Sequence, residues 1–258
     1  VAMKDGLIPP GDRDLVRILQ KRLEKQFEEI RLETKVTGVA EQGDKLRVTM
    51  EPAAGGDATT QDYDRVLLSI GRRPNSEDLG LENTKVQVDE RGFVQSDVQR
   101  RTAEPSIFAI GDVIGSALAH TASHEGIVAA EVISGKRAAF EPNAIPSVVY
   151  TDPELAWCGL TETEAKQEGR EVQIARFPWA ASGRATTLDR NDGVTKLIVD
   201  PQTERILGVG IAGPGAGELI AEGVLAVEMA ALVSDVAMSI HPHPTLSETV
   251  MEAAEAFH

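Results

Sequence analysis

The chain has 258 residues, 41% of them hydrophobic, enough for a sizeable core in one or two domains. Its formal charge of −15, from 26 Lys and Arg against 41 Asp and Glu, excludes the basic footprint of a nucleic-acid binder and reads as a solubility feature. No run approaches the roughly 20 apolar residues of a membrane helix, and "VAMKDGLIPP" has no apolar core for a signal peptide, so the expectation is a soluble, cytoplasmic protein with no membrane partner.

The opening "VAM" reads as a strand end, followed by loop punctuation in "DGLIPPG". "DRDLVRILQKRLEKQFEEI" is amphipathic, with Leu15, Ile18, Leu19 and Leu23 on one face and Asp12 or Asp14 as its expected cap. "IRLETKVTGVAEQGDKLRVTMEP" alternates like two strands joined at "EQGDK", and "AAGGDATTQ" is a turn or surface loop. The continuous apolar run in "DRVLLSIG", 64–71, predicts a buried strand. "RRPNSEDLGLEN" is loop, "VQVDERGFVQSD" a hairpin, and "SIFAIGD", 106–112, a second apolar strand ending in Gly-Asp. "HTASHEGIVAAEVISGK" is helical, with Gly135 as its stop.

From about residue 146 the pattern changes. "SVVYTDPELAWCGLTETEAKQEG" predicts strand, turn and helix, with a Thr161/Glu164 capping box and Gly169 as terminator. Its Cys158 is the sole cysteine, which excludes an internal disulfide and a cysteine-rich metal site, and its apolar neighbours make it a small buried hydrophobe. "EVQIARFPWA", "GVTKLIVDPQTERILGVGIAGPG" and "GELIAEGVLAVEMAA" read as strand, hairpin and helix, and a short helix from Asp235 leads to the last motif. Mixed strands with helices grouped after them predict an α+β fold.

Three motifs bear on chemistry. Gly208, Gly210 and Gly213 spell G-x-G-x-x-G between a strand and a helix. A dinucleotide fingerprint also needs a returning strand and an acid about 20 residues on. A second helix follows instead, which favours small residues placed for close backbone approach. Asp112 ends an apolar strand, where a carboxylate can accept hydrogen bonds from a sugar or polyol; an Asx turn or helix cap fits equally. In "HPHPTLSE", 241–248, Pro242 and Pro244 push His241 and His243 towards extended geometry. Thr245 and Glu248 have capping-box spacing. Alternatively, Glu248 orients the His243 imidazole and raises its basicity. Five residues of separation do not themselves bring the pair into contact, and one carboxylate oxygen for each role lets both hold. Metal ligation by His241 with His243, or by His120 with His124, is disfavoured for want of a cysteine or a larger histidine cluster, so no metal is expected. His258, at the terminus, is expected to be unordered.

Taken together, "IHPHPTLSE", "YTDPELAWCGLTETEA", "FPWAASGRA", "IAGPGAGELI", "IGRRPN" and "IFAIGDV…LAHTASHEG" resemble dihydrolipoamide dehydrogenase, a family within the flavin-dependent pyridine nucleotide–disulfide oxidoreductases. The resemblance implies three parts: residues 1–75 as the remainder of an NAD-binding domain, 76–145 as a returning segment of an FAD-binding domain, and 146–258 as an interface (dimerisation) domain. It implies that His243 is the general base for a dihydrolipoyl thiol, with Glu248 as its paired carboxylate. Asp112 corresponds to an acid bonded to the ribityl and sugar region of FAD, and Ala117, Leu118, Ala119 and His120 to a stretch lying against the flavin through its backbone. Val36 and Gly71 correspond to positions near bound NAD. The implied partners are a second copy, in a homodimer whose histidine acts on the other subunit's disulfide and flavin, and the lipoyl-bearing acyltransferase components of 2-oxo acid dehydrogenase complexes. The family's flavin fingerprint, its C-x-x-x-x-C redox pair and its second glycine fingerprint are not in this sequence. The resemblance therefore implies a C-terminal part of the enzyme, with incomplete FAD and NAD sites and no dihydrolipoamide:NAD activity by itself. A non-catalytic dimerisation module and a related flavoprotein disulfide reductase are the alternatives.

Overall fold

The computed structural model describes residues 1–257; His258, expected to be unordered, lies outside the described residues. By contacts the chain forms two compact units, one made of Val1–Val66 with the chain from Asn143 onward, the other of Leu67–Pro142.

The first unit begins with helix α1 (Arg13–Gln26), whose Leu15, Val16 and Leu19 are buried. Fourteen residues are marginal as an isolated helix; burying three aliphatic side chains, at roughly 1.5–3 kcal/mol each, is what holds it. Strands β1 (Thr34–Gln42), β2 (Lys45–Pro52) and β3 (Thr59–Tyr63) follow as an antiparallel sheet in that order. The β1–β2 turn falls at Gly43, in the left-handed region, as "EQGDK" predicts. Strand β3 takes the end of the stretch expected to be loop. It is a polar edge strand with no apolar alternation to mark it.

The second unit departs furthest from expectation. Residues 64–71 form no strand, and Leu67, Leu68 and Ile70 are 92%, 74% and 85% exposed. A buried strand needs neighbours on both edges, and no described strand pairs with this one. "SIFAIGD" likewise reduces to one bridge, Arg101 with Phe108, before a short 3-10 turn at Gly111–Ile114. The expected hairpin survives as a tight turn at Gly92, closed by a Val88–Val94 bridge. Helix α2 (Ala119–Ile133) then runs to a left-handed Gly135, the expected stop.

The chain from Asn143 builds a five-stranded antiparallel sheet from β4 (Ser147–Val149), β5 (Glu154–Gly159), β6 (Gln173–Pro178), β7 (Val194–Val199) and β8 (Ile206–Gly213), in the order β4-β5-β8-β7-β6. Helices α3 (Glu162–Glu168), α4 (Gly183–Thr187), α5 (Ala216–Glu228), α6 (Val233–Ala237) and α7 (Glu248–Glu255) complete it. Strand alternation sorts the side chains into two layers. Ala156, Cys158, Leu197, Val209 and Ile211 face the larger core with α5, α6 and α7; Leu155 and Ala212 meet α1. The α3 capping box and the left-handed Gly169 are as predicted.

The three spaced glycines serve packing. A Cβ at Gly208 would lie 2.0 Å from the Leu160 carbonyl, one at Gly210 2.8 Å from Leu15, and one at Gly213 2.2 Å from the Trp179 ring. The wholly buried indole therefore needs a bare backbone beside it.

Asp12 does not cap α1 with its side chain. Its carboxylate crosses instead to α3, accepting the Glu162 and Thr163 N–H groups at 3.0 Å each and the Thr163 hydroxyl at 2.7 Å. It also meets the fully buried Lys196 ammonium at 2.7 Å, which Asp14 shares at 2.7 Å and Glu162 at 3.4 Å. The oxygens of Asp12, Asp14 and Glu162 lie close enough together for a metal, but Lys196 supplies the positive charge there. Burial works against the charged form of all three acids; for Asp12 and Asp14 the Lys196 ammonium leads in overriding it, for Glu162 Lys166 with Lys196, and all three pKa values fall below the usual range.

Candidate active site

The C-terminal motif folds into a short loop ahead of α7. His243, which precedes a cis Pro244, is joined through Nδ1 to Glu248 Oε1 at 2.8 Å. The other oxygen of Glu248 accepts the Thr245 N–H at 2.7 Å. One carboxylate thus serves both roles that the sequence left open. The capping box itself is only half formed: Ser247 is the N-cap residue, and the Thr245 hydroxyl donates to the Pro242 carbonyl instead. Glu248 is shielded, with 14% of its side chain exposed, while the His243 ring is 76% exposed.

The Thr245 N–H leads in holding the Glu248 carboxyl below its ordinary pKa; burial opposes it, and the His243 hydrogen bond adds to the lowering. An ionised Glu248 keeps the proton on Nδ1 and leaves the Nε2 lone pair free. Nε2 has no hydrogen-bond partner among the described residues. Such a pair can take a proton from a group approaching the exposed ring.

Two neighbouring arrangements brace this loop, and neither is visible in sequence spacing. His241 bonds through Nδ1 to the Ser239 carbonyl at 2.8 Å and through Nε2 to Glu222 at 2.7 Å, which occupies both nitrogens. Burial disfavours its charged form, but Ser239 and Glu222 outweigh that and raise its pKa. Beneath α7, the Trp179 indole N–H donates to Thr195 at 3.0 Å, Thr195 shares a 2.8 Å bond with Thr249, and Thr249 reaches the Leu246 carbonyl at 2.7 Å. This buried chain fixes the residue next to Glu248.

In the second unit Asp112 stands in the 3-10 turn as a half-exposed acid, not at a strand end. Its carboxylate caps nothing; it meets Arg72 at 3.0 Å, a residue that sequence reasoning passed over as part of "IGRRPN". Ala117 takes a left-handed φ of 52°, Leu118 is the extended N-cap residue, and Ala119 and His120 open α2. No side chain caps that helix start, and a helix N-terminus suits an acceptor such as a flavin side-chain oxygen. Asp112, Ala117, Leu118, Ala119 and His120 thus share one loop and helix start, which pairs an accepting carboxylate with a helix N-terminus, groups of the kind an FAD site would use. Val36 lies at a bulge in β1, and Gly71 has a φ of 115° with open space around it. Cys158 is buried, and burial pushes its thiol up to about 12. His120 and His124 are both exposed on α2. Among the described residues, no helix is long and apolar enough to cross a membrane.

An α+β chain whose C-terminal domain carries an exposed imidazole on a shielded carboxylate has the parts of a proton-transferring enzyme. The comparisons place it more closely. Residues 1–126 match the pyridine nucleotide-disulphide oxidoreductase family, and residues 145–254 match that family's dimerisation domain. The chain belongs to the pyridine nucleotide-disulphide oxidoreductases. It is 51% identical to a dihydrolipoyl dehydrogenase of Vibrio cholerae, over all of this chain and 54% of the relative. It is 50% identical to one from Thermus scotoductus, over 98% and 55% respectively. Among solved structures, LpdA from Mycobacterium tuberculosis superposes with a TM-score of 0.91 at 25% identity, over 99% of this chain and 55% of that one. The flavoprotein disulfide reductase RclA from Escherichia coli gives 0.89 at 26% identity, over 98% and 57%. The chain thus spans about half the length of the curated relatives it matches.

Proposed function

We propose that this chain works within a cytoplasmic, homodimeric dihydrolipoamide dehydrogenase that oxidises protein-bound dihydrolipoamide with NAD through a redox disulfide and FAD. Residues 1–75 would belong to its NAD-binding domain, 76–145 to its FAD-binding domain and 146–258 to its interface domain. The observation that carries the reading is the His243–Glu248 pair, 2.8 Å apart and exposed at the imidazole, in a segment matched to the dimerisation domain. The relatives near 50% identity favour dihydrolipoamide over other disulfide substrates.

In this reading His243 Nε2 takes the proton of a dihydrolipoyl thiol. The resulting thiolate is the nucleophile that opens a disulfide, and the displaced sulfur leaves as a thiolate. Glu248 stabilises the imidazolium so formed and returns the ring to the same tautomer. Cys158 takes no part, since a buried thiol with so high a pKa supplies neither a thiolate nor access. Asp112, Ala117, Leu118, Ala119 and His120 would hold FAD, and Val36 and Gly71 would lie near NAD. These two cofactors supply the electron and hydride chemistry when bound. The lipoyl-bearing acyltransferase of a 2-oxo acid dehydrogenase complex is the proposed delivery partner.

The test is His243→Gln in the full-length enzyme. Removing a general base is expected to slow flavin reduction by dihydrolipoamide about 10²–10⁴-fold in stopped-flow measurements. Rates near wild type would remove His243 from the mechanism.

A further inference from the structure

We propose that Glu125 is a positioning residue for the flavin: it clamps the 111–118 loop in the curvature that presents Asp112 and the start of α2. The proposal rests on the FAD reading above.

Glu125 lies within α2 and is 1% exposed, and a buried carboxylate persists only where its partners compensate the lost hydration. The partners of its carboxylate come from outside its own helix. Oε2 accepts the Gly111 N–H at 2.7 Å. Oε1 accepts the Ser116 hydroxyl and lies 3.3 Å from Arg100 Nη2. Arg100 is itself held by the Phe140 ring, 4.5 Å from its guanidinium carbon. One carboxylate therefore ties together the two ends of the turn from Gly111 to Ser116.

That turn has backbone hydrogen bonds of its own, Gly115 N–H to the Asp112 carbonyl at 3.1 Å and Ser116 N–H to the Gly111 carbonyl at 3.3 Å, and Glu125 tethers it from outside. Gly111, Gly115 and Ala117 all take positive φ, at 75°, 94° and 52°. Ala117 has a Cβ and resists this region. A Cβ at Gly111 would come within 3.1 Å of Ala122, so the loop also lies close against α2. The Asp112 carboxylate points instead to Arg72, on the exposed side of the loop. Glu125 thus acts from beneath a surface whose other side bears the proposed flavin contacts.

The experiment uses the full-length flavoprotein and four variants, Glu125→Ala, Glu125→Gln, Ser116→Ala and Asp112→Asn. Apoprotein is titrated with FAD, and affinity is read from flavin fluorescence, with the visible flavin spectrum recorded for each holoenzyme. Glu125→Ala is expected to weaken FAD binding about 10- to 100-fold, the loss of hydrogen bonds to a charged group. Ser116→Ala, which removes one tie and leaves the buried charge satisfied, is expected to weaken it several-fold and to alter the flavin spectrum in the same sense. Glu125→Gln, which keeps an acceptor for Gly111, is expected to recover part of the affinity. Unchanged affinity in Glu125→Ala and Ser116→Ala with weakened binding in Asp112→Asn would overturn the clamp alone. Unchanged affinity in all four would overturn the clamp together with the FAD reading. Should Glu125→Ala fail to fold, Ser116→Ala decides.

Discussion

Glu248→Gln removes a charge and one acceptor while keeping the side chain's shape, and its consequence can be worked from two distances. The native carboxylate takes His243 Nδ1–H at 2.8 Å and Thr245 N–H at 2.7 Å, one on each oxygen. An amide offers one oxygen to these two donors. If that oxygen stays with Thr245, the amide N–H faces Nδ1, the ring proton moves to Nε2, and the reactive lone pair is gone. If it turns to His243, two N–H groups oppose each other, costing about 1–3 kcal/mol. The imidazolium formed on proton transfer also loses a charged hydrogen-bond partner, worth about 1.5–3 kcal/mol. The second route sums to roughly 2.5–6 kcal/mol, or about 10²–10⁴-fold in rate. The assay is stopped-flow reduction of the full-length enzyme's flavin by dihydrolipoamide, with urea unfolding to confirm an intact fold. A Glu248→Gln rate within threefold of wild type would refute the tautomer argument.

Lys196→Met is expected to destabilise the first unit by about 3 kcal/mol, the low end for a broken buried ion pair, because Arg176 still reaches Asp14 at 3.2 Å and Glu162 at 2.7 Å. Trp157 and Trp179, the only tryptophans, both report on that unit in urea melts. Asp12 and Asp14 have depressed folded pKa values. Their stabilisation is present above the unfolded value near 4 and is lost as pH falls through the folded ones. The gap between wild type and variant should therefore be full at pH 7 and shrink below about pH 4; a gap independent of pH would contradict the ion-pair account. For Cys158, a thiol reagent at pH 8 is expected to label the chain only after denaturant is added, and rapid labelling of the native chain would show the thiol to be accessible.

Local signals carried much of the fold. The α1 stripe, the β1–β2 and β7–β8 hairpins, the Thr161/Glu164 box and the Gly135 and Gly169 stops were readable because each depends on residues within a few positions. The runs at 64–71 and 106–112 misled because apolarity records burial, and burial needs neighbours that a single strand does not contain. The His243–Glu248 contact was suggested by the motif, but its division of labour between two oxygens belongs to the loop's geometry. Arg72, Glu222 and Glu125 were missed for a common reason. Arg72 and Glu222 find their partners 40 and 19 residues away, and Glu125 turns back along the chain to 111 and 116. No short motif announces such pairings. Asp12 is the extreme case, with its α3 partners 150 residues on.

That last connection governs how the protein can be dissected. A piece trimmed to start at Asn143 would strip the Lys196 ammonium of Asp12 and Asp14, leaving it Glu162 alone, and would bare Leu155 and Ala212 to solvent. The segment that completes this sheet is the one furthest from it along the chain. Splicing Val1–Val66 ahead of Asn143, in place of the intervening 76 residues, respects the boundaries that the packing draws.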